Sequence, residues 1–107
     1  MASKPKAEHQ ARSLQEAMKI LQQSMPDIRE RYKVKSLGIF GSYIRGEEKK
    51  SSDLDLLVEF SDAPSLLKFI ALEDELSEKI GIKVDLVMKS ALKPNIGRRI
   101  LAEVIPV

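Results

Sequence analysis

Three short apolar runs, at residues 35–40, 53–60 and 82–87, constrain this chain more than any other feature. Each is rich in Val, Ile, Leu and Phe and too short for a buried helix, so each predicts a strand. Residues 64–80 lie between the second and third runs. There Leu66, Leu67, Phe69, Ile70, Leu72, Leu76 and Ile80 spread over a wide helical face, expected to be core, and Gly81 suits a helix C-cap. Leu14, Ala17, Met18 and Leu21 repeat at helical spacing. That stripe either covers the sheet or docks a second chain. Pro26 is expected to close this helix and open a second, short one through Tyr32. Residues 42–46 read as a helical turn, 47–52 as an exposed charged loop and 90–92 as a turn. A last helix starts at Pro94, with Ile96, Ile100, Leu101 and Val104 on one side. Strands mixed with helices predict an α/β (α+β) domain with a small mixed sheet. A chain of 107 residues suffices for one such domain. Residues 1–9 are polar and expected to be flexible, leaving 10–107 as the single domain.

Composition narrows the chemistry. There is no cysteine, which removes disulfides, zinc–thiolate sites, iron–sulfur clusters and thiol nucleophiles. His9 is the sole histidine, and a solvated role suits it better than metal ligation. Carboxylates therefore remain for any metal site, and they favour hard cations such as magnesium, manganese or calcium. Charge is unevenly placed: +4 over residues 1–35, −5 over 36–88 and +3 over 89–107. An acidic middle between basic ends is compatible with a cation site, or simply with solvated surface. No apolar run approaches the ~20 residues of a membrane span, and the start lacks the apolar core of a signal peptide, so a cytoplasmic location is expected.

The informative residues lie between Phe40 and Leu56. Gly41 permits a sharp turn and close approach of a ligand to the backbone. Ser42 would open a helical turn, whose free N–H groups suit phosphate oxygens. Arg45, three residues on, shares a side with Ser42 and can fork onto two phosphate oxygens. An ordinary strand–turn–helix link with a solvated arginine would look the same. On a strand, Asp53 and Asp55 point to one face while Leu54 and Leu56 point to the other. Aspartate is disfavoured in strands, and two on one face repel each other. Either a divalent cation relieves them or the strand is an edge with one wet face. Asp85 lies in a third apolar strand. If that strand neighbours the second, Asp85 can join the same face, and three carboxylates can hold two cations ~3.5–4 Å apart.

Gly41-Ser42-x-x-Arg45-Gly46, then Ser52-Asp53-x-Asp55-Leu56, then Val84-Asp85-Leu86 resembles the minimal nucleotidyltransferases of the DNA polymerase beta-like superfamily. The likeness runs from about Ala17 to Val107. It implies a nucleotidyltransferase fold, with Gly41, Ser42 and Arg45 as nucleotide-binding residues. It also implies Asp53, Asp55 and Asp85 as catalytic residues and ligands of two magnesium ions, manganese being an alternative. Domains that larger relatives add for RNA or aminoglycosides would not fit in this length. Small members of the family resemble antitoxins of toxin–antitoxin pairs, whose partner is a HEPN-type toxin. They are similar to adenylyltransferases that move AMP from ATP to a tyrosine hydroxyl of that toxin.

That resemblance implies a metal-dependent adenylyltransferase using ATP or another NTP, with no membrane and no direct nucleic-acid partner. A homo-oligomer stays open. Two rival readings remain: a non-catalytic nucleotide-binding module that neutralises a toxin by contact, and a subunit acting on a small molecule held by another chain. Tyr43 either stacks on a base or packs at the rim. Arg98 and Arg99 either grip an anionic ligand or form a solvated face. Tyr32 is a remote candidate for self-modification.

Overall fold

The computed structural model describes residues 13–107. The expectations for residues 1–9, His9 included, lie outside that range. Ser13 caps α1 (Leu14–Tyr32), its hydroxyl accepting the Glu16 N–H at 3.2 Å. Pro26 does not end this helix, contrary to the expectation of two helices. One buried stripe, Ala17, Leu21, Met25, Ile28 and Tyr32, runs straight past it. Pro26 itself is exposed, so the hydrogen bond that it cannot make is lost on the wet side.

After α1 come β1 (Val34–Phe40), α2 (Ser42–Arg45), β2 (Leu54–Phe60) and α3 (Leu66–Ile80). β3 (Val84–Met88), a 3-10 turn at Lys89–Ala91, α4 (Pro94–Glu103) and β4 (Ile105–Pro106) complete the chain. The sheet order is β3-β2-β1-β4. β1 runs antiparallel to β2 and β4, whereas β2 and β3 are parallel. A parallel pair needs a long crossover, and α3 supplies it. The fold is α+β with a mixed sheet, as expected. The two-residue strand β4 was not anticipated, because its pairing is visible only across the sheet.

Leu54, Leu56 and Val58 of β2 join Val84 and Leu86 of β3 in one core with α1 and α3. Strand alternation then sends Asp55 and Asp85 to the opposite face. Of the apolar residues of α3, Leu72, Leu76 and Ile80 are fully buried. Leu66 and Leu67 are 73% and 80% exposed, which corrects the expectation that the whole stripe is core. At ~100° per residue, Leu67 and Ile70 point well away from the 72-76-80 row, and Leu66 sits on its flank. No helix among the described residues is long and apolar enough to cross a membrane.

Polar contacts tie α1 to α3. Arg31 pairs with both Asp27 and Glu75. Tyr32, buried, donates its hydroxyl to Glu75 Oε1 at 2.9 Å. Arg31 first, and Tyr32 after it, hold the Glu75 carboxyl below the usual carboxylate range. A depressed carboxylate stabilises the fold above its unfolded pKa, and that contribution is lost as pH falls through the folded value. Glu75→Gln is therefore expected to melt about 4 °C lower than the natural chain at pH 7. The gap should begin to close below pH ~4.3. Melting curves at pH 7, 5 and 3 check this. A gap that widens in acid would contradict it.

Candidate active site

The six site residues expected from the sequence gather at one end of the sheet, where β1 finishes and β2 and β3 begin. In the sheet register Phe40 sits opposite Asp55, and Asp55 is paired with Asp85. Paired residues of parallel neighbours project to one face, so Asp85 does join Asp55. Asp53 is half-buried in the loop just before β2 rather than within the strand.

Gly41 turns the chain from β1 into α2 with φ 88°, a value that favours glycine. A Cβ built there would lie 2.0 Å from Asp55 Oδ2, so the carboxylate occupies the space that a side chain would fill. Ser42 begins α2 and is half-buried, and Arg45 ends it on the exposed side. Arg45 Nε donates to Glu47 Oε1 at 2.9 Å and Nη1 donates to Glu103 Oε1 at 2.9 Å. The other oxygen of Glu103 accepts the Gly41 N–H at 2.6 Å.

Burial pushes the Asp55 carboxyl above its ordinary range, and the charges of Asp85 and Asp53 add to the shift. Arg45 pulls the other way without reversing it. These are hard oxygen donors carrying uncompensated repulsion, and a divalent cation suits such a set. They are not gathered in advance: among the described residues no group of three His, Cys, Asp or Glu side chains is set to hold an ion.

Two hollows flank the acidic residues. One, of about 210 Å³, is lined by Gly41, Arg45, Asp55, Arg99, Ile100 and Glu103. The other, of about 520 Å³, is lined by Tyr43, Lys49, Lys50, Asp53, Ile82 and Lys83. Tyr43 thus packs against the core while edging the second hollow. Arg98 and Arg99 separate: Arg98 donates to Asn95 Oδ1 at 2.8 Å, whereas Arg99 faces the first hollow.

The family model for the nucleotidyltransferase domain matches residues 21–107, which include every one of these side chains. The chain belongs to the nucleotidyltransferase domain family. This nucleotidyltransferase is 50% identical over 93 residues to protein adenylyltransferase MntA of Thermococcus cleftensis, covering 87% of this chain and 94% of the relative. A solved structure provisionally named a minimal nucleotidyltransferase superposes with a TM-score of 0.72 at 33% identity, covering 86% of this chain and 94% of that one. An MNT antitoxin in complex with a tri-AMPylated HEPN toxin, from Shewanella oneidensis, shares the fold, with a TM-score of 0.62 at 18% identity. That alignment covers 84% of this nucleotidyltransferase and 70% of the neighbour.

Glu103 is the site residue that sequence reasoning missed. It is the lone acid among four basic residues in the last nineteen positions, which is a faint signal. Its placement depends on β4. Ile39 pairs with Ile105 and Gly38 with Pro106, and continuing that antiparallel register brings Glu103 opposite Gly41.

Proposed function

We propose that this nucleotidyltransferase moves AMP from ATP to a protein hydroxyl, that of a tyrosine on a HEPN-type toxin, and so serves as a cytoplasmic antitoxin. The observation that carries this reading is the pairing of Asp55 with Asp85 beside the Gly41 turn. The 50% identity to a protein adenylyltransferase and the likeness to an antitoxin seated on an AMPylated toxin support the acceptor class.

In this reading the Gly41 N–H, the Ser42 hydroxyl and the Arg45 guanidinium receive the β- and γ-phosphates. Asp53, Asp55 and Asp85 hold two magnesium ions, and manganese suits the same oxygens. When bound, such ions neutralise the charge building at the α-phosphate and on the leaving group. The acceptor oxygen forms a bond to the α-phosphorus as the bond to the β-phosphate bridge breaks, releasing pyrophosphate. Asp85, exposed on β3, would help take the hydroxyl proton.

One observation favours a second reading, a toxin-neutralising module without catalysis: Arg45 is engaged by the chain's own glutamates. Incubation with ATP, magnesium and the product of the neighbouring gene, followed by mass spectrometry of that product, separates the two. Transfer predicts addition of one AMP. A tight complex of unchanged mass would sink the catalytic reading. Asp85→Asn is expected to keep ATP affinity within about threefold while transfer falls at least about a hundredfold. Loss of ATP binding in calorimetry would contradict the role given to Asp85.

A further inference from the structure

The carboxylate of Glu103 bridges the Gly41 N–H and the Arg45 guanidinium, at 2.6 and 2.9 Å. Both are groups that the proposed function assigns to nucleotide phosphates, so this inference rests on that reading. An anion is already seated where an anion is required. A carboxylate offers two oxygens with negative charge, as a phosphate edge does, and charge-assisted bonds of this length are the strong kind. The arrangement is built rather than incidental. Glu103 is the last residue of α4, and β4 immediately clamps the chain to the edge of β1. The Val107 N–H donates to the Leu37 carbonyl at 2.8 Å and ties down the end of the clamp. Gly38 permits the approach, because a Cβ there would meet Val104 Cγ2 at 2.5 Å and the Ile105 carbonyl oxygen at 3.2 Å. The side chain of Glu103 is only 22% exposed.

We infer that Glu103 is a built-in phosphate mimic that competes with the nucleotide for Gly41 and Arg45 and thereby sets its affinity. A phosphate chain enters the 210 Å³ hollow only as the Glu103 carboxylate leaves it. Departure would also take one negative charge away from Asp55, which feels Glu103 as well as Asp85 and Asp53. Arg99, on the wall of the same hollow, stands ready to receive the displaced carboxylate or the incoming phosphate. Apparent affinity is reduced by the fraction of time that a site is unavailable, so a mimic seated nine-tenths of the time weakens binding about tenfold.

Sodium tripolyphosphate and adenosine, titrated by calorimetry in EDTA into the natural chain, Glu103→Gln and Glu103→Ala, test this without depending on turnover. Both variants are expected to bind tripolyphosphate about tenfold more tightly, with no change for adenosine. Unchanged or weaker tripolyphosphate binding in both would overturn the inference, and weaker binding would make Glu103 a positioning residue for Arg45. Arg45→Ala in the Glu103→Ala background separates the two layers. It should cost at least tenfold in tripolyphosphate affinity. If it costs nothing, the phosphate reading of the site itself fails. If it costs affinity while the Glu103 variants gain none, only the mimic fails. Nuclear magnetic resonance on the natural chain guards against misfolded variants. Tripolyphosphate should move the Gly41 amide and the Glu103 side-chain carboxyl signals together, and a Glu103 signal that stays still while Gly41 moves would overturn the mimic.

Discussion

Asp55→Asn is expected to lower AMP transfer at least about a thousandfold under the proposed function, in which its charge would hold a cation against the α-phosphate and would be worth several kcal/mol of barrier. The same substitution should raise stability in metal-free buffer. Burial, Asp85 and Asp53 push the Asp55 carboxyl upward, so at neutral pH the fold carries a carboxylate that it disfavours. A raised folded pKa means destabilisation above that value, relieved as pH falls through it toward the unfolded one. The asparagine variant should thus melt a few degrees higher at pH 7, and the advantage should vanish once acid has protonated Asp55 in both states. Melting curves from pH 7 to pH 3 in EDTA, beside a transfer assay, check both halves. A variant that is inactive and also less stable at pH 7 would show Asp55 to be a structural residue instead. A gain in stability at the expense of activity is the mark of a site assembled against its own repulsion.

Gly41→Ala carries the second large effect. The backbone at Gly41, with φ 88° and ψ −154°, lies in a region that is essentially reserved for glycine and costs an alanine ~1–3 kcal/mol, and the added methyl would sit 2.0 Å from Asp55 Oδ2 and 2.9 Å from Asp55 Cγ. The backbone must shift or Asp55 must rotate away. Transfer should fall by at least about a hundredfold, as expected when reacting groups are displaced by ~1 Å. Gly46→Ala is the control. Gly46 also has positive φ, at 71°, but a Cβ there meets nothing within 4 Å. It should lose about 1 kcal/mol of stability and little activity. Equal losses of activity in the two variants would mean that the seat of Asp55 is not what matters at Gly41.

Strands β1, β2 and β3 were legible because short apolar runs bounded by Gly, Asp and Ser leave few alternatives. The start of β2 was misplaced by one residue, which leaves Asp53 in the preceding loop and not on the strand face expected for it. Where neighbours across the chain decide, local pattern misled. Pro26 ends helices by rule, yet burial of Ile28 and Tyr32 on one stripe with Leu21 outweighs one missing exposed hydrogen bond. Leu66 and Leu67 are apolar, yet no described side chain covers them. β4 is two residues long, too short to leave a periodic trace.

The amino-acid sequence by itself determined which residue types could do chemistry here. With no cysteine and a single histidine, it left oxygen ligands, a glycine turn and an arginine. It also determined that Asp53 and Asp55 lie close together, since only one residue separates them, although Asp53 sits in the loop before β2 and not in the strand itself. Only the tertiary structure decided that Asp85 lies in register with Asp55 and that Glu103 closes on Gly41 and Arg45. Both facts depend on strand pairings between distant parts of the chain. Pairing register is chosen by packing the whole core, and no local stretch of residues carries that information.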